Sequence, residues 1–404
     1  MAFSGLVPDR IGGVRPKHRT GEASRPGSAA HGPRNVAASS SNPFLWPFFA
    51  AAAASHASAS FFQRIADTYV RNDSDEAQLP EPQWTTSSDV ALELSTMRLR
   101  DFSTQPEGHP TLVCAPYALH GANIADFAPG HSVVEALRGA GLARVFVTDW
   151  RSATPEMRYL SIDSYLADLN VAIDEIGAPV DIIGLCQGGW MALVYAARFP
   201  AKVRRLVLVG APVDIRAGDS QFSRSAADAP FSAFENLIDL GGGRVLGHHV
   251  LELWAPALGA DAVDRLLQVA TGIAASRLRE LEQRFDSWYA LTLDLPGTFF
   301  LQTAQWLFKE NRIAEGRFVA LGRPVDLADV RVPMFLLAAH DDEVVARDQL
   351  FATADLVGTP STAIEMATEP CGHLSLFLGA RTIEGAWRRI AHWLSRDSAF
   401  AQAS

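Results

Sequence analysis

Residues 180–197 read VDIIGLCQGGWMALVYAA: an apolar run, then the pentapeptide Gly184-Leu185-Cys186-Gln187-Gly188, then a helix-like segment. A strand that enters a helix through G-x-C-x-G has the pattern of a nucleophile elbow, with cysteine where serine is usual. The two glycines fit this interpretation, because an elbow is a sharp, strained turn without room for larger neighbours. On its own the pentapeptide is a weak signal, since a buried cysteine is commonly a small core hydrophobe. Cys186 is therefore a candidate nucleophile whose role depends on what else the chain contains.

An acid and a histidine follow the pentapeptide in the chain. The apolar residues 332–339 lead to Asp341, and residues 361–366 are followed by a loop that contains His373. Nucleophile, acid, histidine is the chain order of the α/β-hydrolase triad. In that arrangement Asp341 orients His373, which takes the proton from Cys186 so that the cysteine can form an acyl thioester. Alone, Asp341 would be interpreted as a turn carboxylate and His373 as a histidine in a surface loop.

The choice of acid rests on position in a run of three carboxylates. Asp341, Asp342 and Glu343 are consecutive, and only one side chain can point into the site. Asp341 comes first after the predicted strand, where the triad acid usually sits, and is our choice. Asp342 is the alternative.

Short apolar segments alternate with helical ones from about residue 85. Strands are predicted at residues 111–115, 144–148, 180–184 and 205–210, and a helix at 162–176, where apolar residues recur at three- and four-residue spacing. This alternation predicts an α/β fold with a mainly parallel central sheet and helices on both faces. Together with the elbow, it predicts the α/β-hydrolase fold.

The alternation stops after Asp214 and resumes at Val332. The residues between predict helices at 231–240, 249–254, 262–275, 278–291 and 299–309. We therefore expect a helical cap, residues 216–325, inserted into a catalytic core formed by residues 85–215 and 326–398. A cap excludes water and shapes an acyl pocket; the alternative is that these helices are only a dimer surface. The glycines at 241–243 predict a helix terminator rather than a mobile joint.

The N-terminal segment differs from the rest. Residues 1–41 are rich in Gly, Pro, Ser, Ala and Arg, which predicts disorder. Residues 42–84 begin with an aromatic and alanine-rich run that is too short to span a bilayer and too far along the chain for an ordinary signal peptide. We expect this extension to be a helix that packs on the catalytic core, and the alternative is a segment that binds an apolar surface.

Composition excludes several classes of function. A net charge of −10 argues against a nucleic-acid partner. Three cysteines do not make a disulfide framework, which favours a cytoplasmic location. No glycine-rich dinucleotide fingerprint is present, so no cofactor is expected. His248 and His249 are adjacent but lack a ligand-spaced partner, so no metal site is expected either.

The elbow also predicts how an oxyanion is held. Two backbone N–H groups usually stabilise the tetrahedral intermediate. One should come from Gln187, directly after the nucleophile, and the second from the loop after residues 111–115, near Tyr117 or Ala118. Trp150 and Trp190 could line an acyl pocket, but core packing is the preferred interpretation of both.

The sequence resembles the polyhydroxyalkanoate synthases, most closely the catalytic subunit of class III, over roughly residues 85–395. Besides the elbow, the similar segments are Tyr117-Ala118-Leu119, Ser132-Val133-Val134, Thr148-Asp149-Trp150 and residues 159–165, 195–203, 211–214, 311–316 and 321–327. The resemblance implies the triad Cys186, Asp341 and His373, and polymerisation of (R)-3-hydroxyacyl-CoA with release of CoA. It also implies assembly as a homodimer or with a second synthase subunit, and a place at the surface of polymer granules.

Two departures keep alternatives open. Members of that family usually have histidine directly after the triad aspartate, where this chain has Asp342, and Ser or Gly where it has Cys371. Intracellular depolymerases of the same polymer also use a cysteine, and their Asp-Asp pair and His-x-x-x-Phe-x-Gly run are similar to Asp341-Asp342 and residues 373–379. Hydrolysis of polymer or thioester is thus the main alternative. A granule-binding protein without activity is a third, although it leaves the triad unexplained.

Overall fold

Eight strands form one sheet in the computed structural model of the chain, which describes residues 83–254 and 262–396. The strands are β1 (Asp89–Glu93), β2 (Met97–Asp101), β3 (Pro110–Cys114), β4 (Arg144–Trp150), β5 (Val180–Leu185), β6 (Val203–Val209), β7 (Met334–Ala339) and β8 (Ile364–Glu369). Their order across the sheet is 1-2-4-3-5-6-7-8. Only β2 runs antiparallel to its neighbours, β1 and β4; the other neighbouring pairs are parallel.

The centre of the sheet is buried on both faces. Every residue of β3, β5 and β7 is buried, as expected for parallel strands covered by helices on either side. The predicted α/β-hydrolase fold with a mainly parallel sheet is confirmed. The sequence analysis did not predict β1 and β2, whose charged residues hide the strand pattern. One of these charges is paired, because Arg100 Nε lies 2.6 Å from Asp149 Oδ2 of β4.

Helices cover the sheet and fill the connection between β6 and β7. Those before this connection are α1 (Val133–Gly139), α2 (Ile162–Ile176) and α3 (Gln187–Arg198). Within it lie α4 (Gln221–Asp228), α5 (Phe231–Leu240), α6 (Gly247–Trp254), α7 (Ala262–Leu267), α8 (Ala275–Ala290) and α9 (Gly297–Gln302), which continues as a π-helix over Thr303–Lys309. The remaining helices are α10 (Arg347–Phe351), α11 (Thr353–Leu356), α12 (Ser375–Leu378), α13 (Ala380–Thr382) and α14 (Arg388–Ser395), with a π-helical turn at Ile383–Trp387 before α14.

The predicted elements agree with these bounds to within a few residues, apart from two. The helix predicted at 262–275 ends at Leu267, because Gln268 adopts a positive φ of 53° and Gly272 follows in the left-handed region. The strand predicted at 361–366 begins at Ile364, and the three residues before it form a 3₁₀ turn. The cap bounds 216 and 325 stay predictions. The predictions for residues 1–41 and for 42–82 lie outside the described residues.

Candidate active site

Cys186 stands alone between the last residue of β5 and the first residue of α3, as an elbow requires. Its φ of 46° and ψ of −116° lie in a region that non-glycine residues rarely adopt. Two hydrogen bonds hold it there: its N–H donates to the Val209 carbonyl at 2.9 Å, and its carbonyl accepts from Gly189 N–H at 2.8 Å. The neighbouring strand and the first turn of the helix therefore maintain the strained conformation.

The glycines of the pentapeptide are required by close packing. A Cβ at Gly188 would lie 2.1 Å from the Cys114 carbonyl oxygen at the end of β3. A Cβ at Gly184 would lie 2.4 Å from Gly189 Cα in the first turn of α3. Both neighbours are backbone atoms that cannot turn aside, so the helix start can approach the sheet only with glycine at these positions.

His373 lies in the loop between β8 and α12 and meets Cys186 there. Both residues line the same cavity, and the side chain of Cys186 is near enough to raise the pKa of His373. The Nδ1 atom of His373 lies 2.9 Å from Oδ2 of Asp342, and the two side chains are 6% and 1% exposed. The structure thus brings together the predicted nucleophile, the predicted histidine and a buried carboxylate.

That carboxylate belongs to Asp342, so the prediction that Asp341 orients His373 is wrong. The side chain of Asp341 is 74% exposed and lies 2.8 Å from His340 Nδ1. Because β7 ends at Ala339, the turn points Asp341 outward and the next side chain inward. Two backbone N–H groups hold the Asp342 carboxylate: Val344 and Val345 donate to its Oδ1 at 2.9 and 2.8 Å. An aspartate carboxylate that accepts from the backbone N–H two residues further on forms an Asx turn, and aspartate is one of the residues that favour such turns.

The three groups favour charge separation. Burial alone would lower the pKa of His373, but the charges of Asp342 and Cys186 and the hydrogen bonds to both hold it well above its ordinary 6.5. A protonated imidazole beside the sulfur stabilises the thiolate, which is the nucleophilic form. The other two cysteines differ, because burial raises the pKa of Cys114 to about 12 and that of Cys371 to about 11.

Cys186 and His373 open onto a cavity of about 250 Å³. Aromatic side chains from the connection between β6 and β7 form much of its wall, namely Phe222, Phe234, Trp288, Tyr289, Phe299 and Phe300. The sequence analysis did not identify these residues, since nothing in their spacing distinguishes a cavity wall from an ordinary helix core. The arrangement can accept an apolar acyl chain.

The residues predicted to hold the oxyanion, Gln187, Tyr117 and Ala118, all line this cavity. Gln187 is the first residue of α3, so its N–H has no acceptor within the helix. The Tyr117 ring packs against Tyr165, at 4.6 Å between ring centroids, and against Phe299. The role of the three backbone N–H groups stays a prediction.

Trp150 and Trp190 belong to the core. They are 2% and 1% exposed, and neither is among the residues that line the cavity. The indole N–H of Trp150 donates to the Ala115 carbonyl at 2.8 Å, and that of Trp190 donates to the Gln187 side chain. Trp150 therefore stabilises the end of β3, and Trp190 stabilises the first turn of α3 next to Cys186.

His248 and His249 pack edge to face, with ring centroids 4.2 Å apart. Among residues 83–254 and 262–396, no group of three or more His, Cys, Asp or Glu side chains is arranged to hold a metal ion. No helix in this described part of the chain has the length and apolar composition needed to cross a membrane.

Comparison with known proteins shows sequence similarity to polyhydroxyalkanoate polymerase subunits. Poly(3-hydroxyalkanoate) polymerase subunit PhaC of Haloferax mediterranei is 24% identical over 333 residues, covering 78% of this chain and 64% of the relative. The subunits of that name from Synechocystis sp. and Allochromatium vinosum are 29% and 25% identical, covering 70% and 72% of this chain and 75% and 82% of their own. The chain thus spans somewhat less than two thirds of the first relative's length.

A solved structure, the monoacylglycerol lipase of Paleococcus ferrophilus, superposes with a TM-score of 0.50 at 15% identity, over 74% of this chain and 98% of that one. This likeness concerns the fold alone. A family model described as "Protein of unknown function (DUF3141)" matches residues 89–395. The chain therefore has the α/β-hydrolase fold, is similar to polyhydroxyalkanoate polymerase subunits, and belongs to the family described as protein of unknown function (DUF3141).

Proposed function

We propose that the chain is an acyltransferase that polymerises (R)-3-hydroxyacyl-CoA into polyhydroxyalkanoate through a thioester on Cys186, with release of CoA. One observation carries the proposal: Cys186 and His373 line an apolar cavity, and Asp342 forms a hydrogen bond with His373. The similarity to poly(3-hydroxyalkanoate) polymerase subunits supports the reaction and the substrate class.

The first half-reaction transfers the acyl group from one sulfur to another. The thiolate of Cys186 attacks the thioester carbonyl and forms a new C–S bond. The tetrahedral intermediate then collapses, and the C–S bond to CoA breaks. His373 gives its proton to the departing CoA sulfur, and Asp342 keeps the imidazole oriented through Nδ1. Exchange between two thioesters is nearly balanced, so the acyl group is not trapped as it would be on a serine ester.

The second half-reaction makes the ester. The hydroxyl of another hydroxyacyl group attacks the thioester carbonyl on Cys186, its proton passes to His373, and the Cys186 sulfur leaves. The N–H of Gln187 and that of Tyr117 or Ala118 would stabilise the negative oxygen in both halves. Loss of one such donor typically costs about 3 kcal/mol of barrier.

The direct test mixes purified protein with (R)-3-hydroxybutyryl-CoA and follows thiol release and products beside a Cys186→Ala control. Polymer formed with thiol release, and abolished in the control, is the expected result. Thiol release with only free 3-hydroxybutyrate would make the protein a thioesterase. No reaction would contradict a synthase that acts without a second subunit and leave amorphous polymer as the substrate to try.

Hydrolysis by the same triad is the second candidate, and Glu343 is the observation that favours it. With Asp342 rather than Asp341 as the acid, the position where the family usually has histidine is Glu343, which lines the cavity as an exposed carboxylate. Such a group can hold water near the acyl carbonyl, which a polymerase must avoid. The product analysis above distinguishes the two candidates.

The proposed reaction also carries proposals about partners. The insoluble product would place the protein at a granule surface in the cytoplasm, and we expect a homodimer or a second synthase subunit as in the family that the sequence resembles. Light scattering of the purified chain, with and without substrate, tests whether it assembles by itself.

A further inference from the structure

The cavity at Cys186 is larger than a four-carbon acyl group requires. Its volume is about 250 Å³. An apolar cavity of about 150 Å³ binds benzene, which has six carbon atoms, so a cavity of this size offers room for roughly ten. The acyl part of 3-hydroxybutyryl-CoA has only four carbon atoms and would leave much of the room empty.

The connection between β6 and β7 supplies a wall that suits hydrocarbon rather than oxygen atoms. It contributes the six aromatic side chains named above together with Phe308. The hydroxyl groups of Tyr289 and Thr303 have almost no accessible surface and so do not face the cavity. The indole N–H of Trp288 donates to the Gly121 carbonyl at 3.4 Å. An ester oxygen against this wall would lose its hydrogen bonds to water, whereas a methylene group would be stabilised by leaving water.

Ala226 of α4 and Ala304 of the π-helix are small residues in this largely aromatic wall. Both line the cavity, and they are 2% and 6% exposed. The two elements that carry them are joined, because Lys309 Nζ donates to the Ala227 carbonyl at 2.6 Å. A larger side chain at either alanine would therefore occupy the room that the cavity offers to an acyl chain.

We propose that the cavity selects hydroxyacyl chains of about six to ten carbon atoms over the four-carbon 3-hydroxybutyryl group, and that Ala226 and Ala304 are specificity-determining residues for this chain length. The inference rests on the proposed function, because it concerns the acyl group that Cys186 would carry. A second four-carbon unit of a growing polyester would also fill the room, but it would place ester oxygens against the apolar wall. A longer hydrocarbon side chain matches both the volume and the chemistry of the wall.

The experiment measures the second-order rate constant for acylation of Cys186 in the first turnover, by intact-protein mass spectrometry. The substrates are (R)-3-hydroxybutyryl-CoA, (R)-3-hydroxyoctanoyl-CoA and (R)-3-hydroxydodecanoyl-CoA. Each buried methylene contributes up to about fourfold. Part of that gain is lost in ordering the chain, so we expect the octanoyl thioester to react at least about tenfold faster than the butyryl thioester. The dodecanoyl thioester should gain nothing further, because its chain exceeds the room for roughly ten carbon atoms.

Substitution of the two alanines tests whether they set the chain length. Ala304→Phe and Ala226→Phe each place a ring in the cavity, which would fill about half of it. Each should lower the ratio of the octanoyl to the butyryl rate constant to near one. The matched control is Ala275→Phe at the exposed start of α8, which does not line the cavity and should leave the ratio unchanged.

Two results would overturn the inference and leave the proposed function intact. One is a wild type that reacts equally fast with all three thioesters, or fastest with the butyryl thioester. The other is a ratio that stays at its wild-type value in both Ala304→Phe and Ala226→Phe.

The same three acyl chains presented as 4-nitrophenyl esters separate the inference from the proposed function. If these esters acylate Cys186 and no CoA thioester does, the proposed function fails, and the order of rates among the esters decides the inference by itself. If neither series acylates Cys186, the proposed function and the inference both fail.

Discussion

At the scale of single residues, the active site depends on which of two adjacent aspartates faces the histidine. The side chain of Asp342 is 1% exposed and hydrogen-bonded to His373, whereas that of Asp341 is 74% exposed. Asp342→Asn should lower kcat/KM for thiol release by about 10³-fold or more, because the imidazole loses both its orientation and its charge partner. Asp341→Asn removes the same charge from the adjacent position and should change kcat/KM by less than about twofold. A larger loss in Asp341→Asn would contradict the assignment.

The three cysteines should differ in reactivity, because only Cys186 lies beside His373 while the other two thiols are buried. Iodoacetamide near pH 7 is expected to modify Cys186 alone, because burial keeps Cys114 and Cys371 protonated. Asp342→Asn should slow this alkylation, since the protonated His373 beside the sulfur loses its stabilising charge. Peptide mapping after timed labelling measures both effects. Labelling of Cys371 at a rate comparable to Cys186 would contradict the expectation.

At the scale of elements, the elbow depends on the contact between the first turn of α3 and the end of β3. Gly188→Ala places a methyl group 2.1 Å from the Cys114 carbonyl oxygen, so the helix must move. We expect a loss of about 3 kcal/mol in the free energy of unfolding, with loss of activity. Gly139→Ala, at a helical position with open space around the new Cβ, should be neutral or stabilise by up to about 1 kcal/mol. Urea denaturation of both variants tests this, and equal midpoints would contradict it.

The last helix is tied to the sheet by a buried arginine. Arg205, 5% exposed, donates through Nη1 to the carbonyls of Trp393 and Leu394 at 2.5 and 2.6 Å, at the end of α14. Arg205→Met should destabilise the chain by about 2–4 kcal/mol, because the buried Trp393 carbonyl loses this donor and the Leu394 carbonyl keeps only Arg204 Nη2 at 3.1 Å. Arg388→Met removes an exposed arginine that pairs with Glu384 and should cost less than about 0.5 kcal/mol. Thermal denaturation compares the two variants. A similar loss of unfolding free energy in both would show that the hydrogen bonds from Arg205 to the end of α14 contribute little to stability.

At the scale of the whole molecule, the triad links three distant parts of the chain and so contributes to stability as well as to chemistry. The pKa of His373 is raised in the folded chain above its value of about 6.5 in the unfolded chain. Its contribution to the free energy of unfolding is therefore fully present below about pH 6.5 and is lost as the pH rises through the folded value. The stability difference between wild type and His373→Gln should shrink with rising pH. Urea titrations from about pH 6 to 9 measure it, with the exposed His392→Gln as the control. A difference that grows with pH would contradict the expectation.

The sequence by itself was sufficient for the fold class, and it identified Cys186 and His373 as candidates that the structure brings to one cavity. Glycine spacing, apolar strands and the chain order of the functional residues are local patterns, and each has a direct physical cause that holds in most surroundings. Even so, the charged edge strands β1 and β2 were missed, because their pattern is weak when one face is solvated.

Only the tertiary structure decided which carboxylate meets His373 and which residues surround the acyl cavity. The direction of a side chain just past a strand depends on the turn that follows, and the backbone N–H groups of Val344 and Val345 hold Asp342 inward. The cavity joins His120 to Trp288, residues far apart in the chain, and their contact leaves no periodic signal in the sequence. Local chemistry can therefore be predicted from neighbouring residues, whereas the wall of the cavity consists of contacts that form only when the chain is folded.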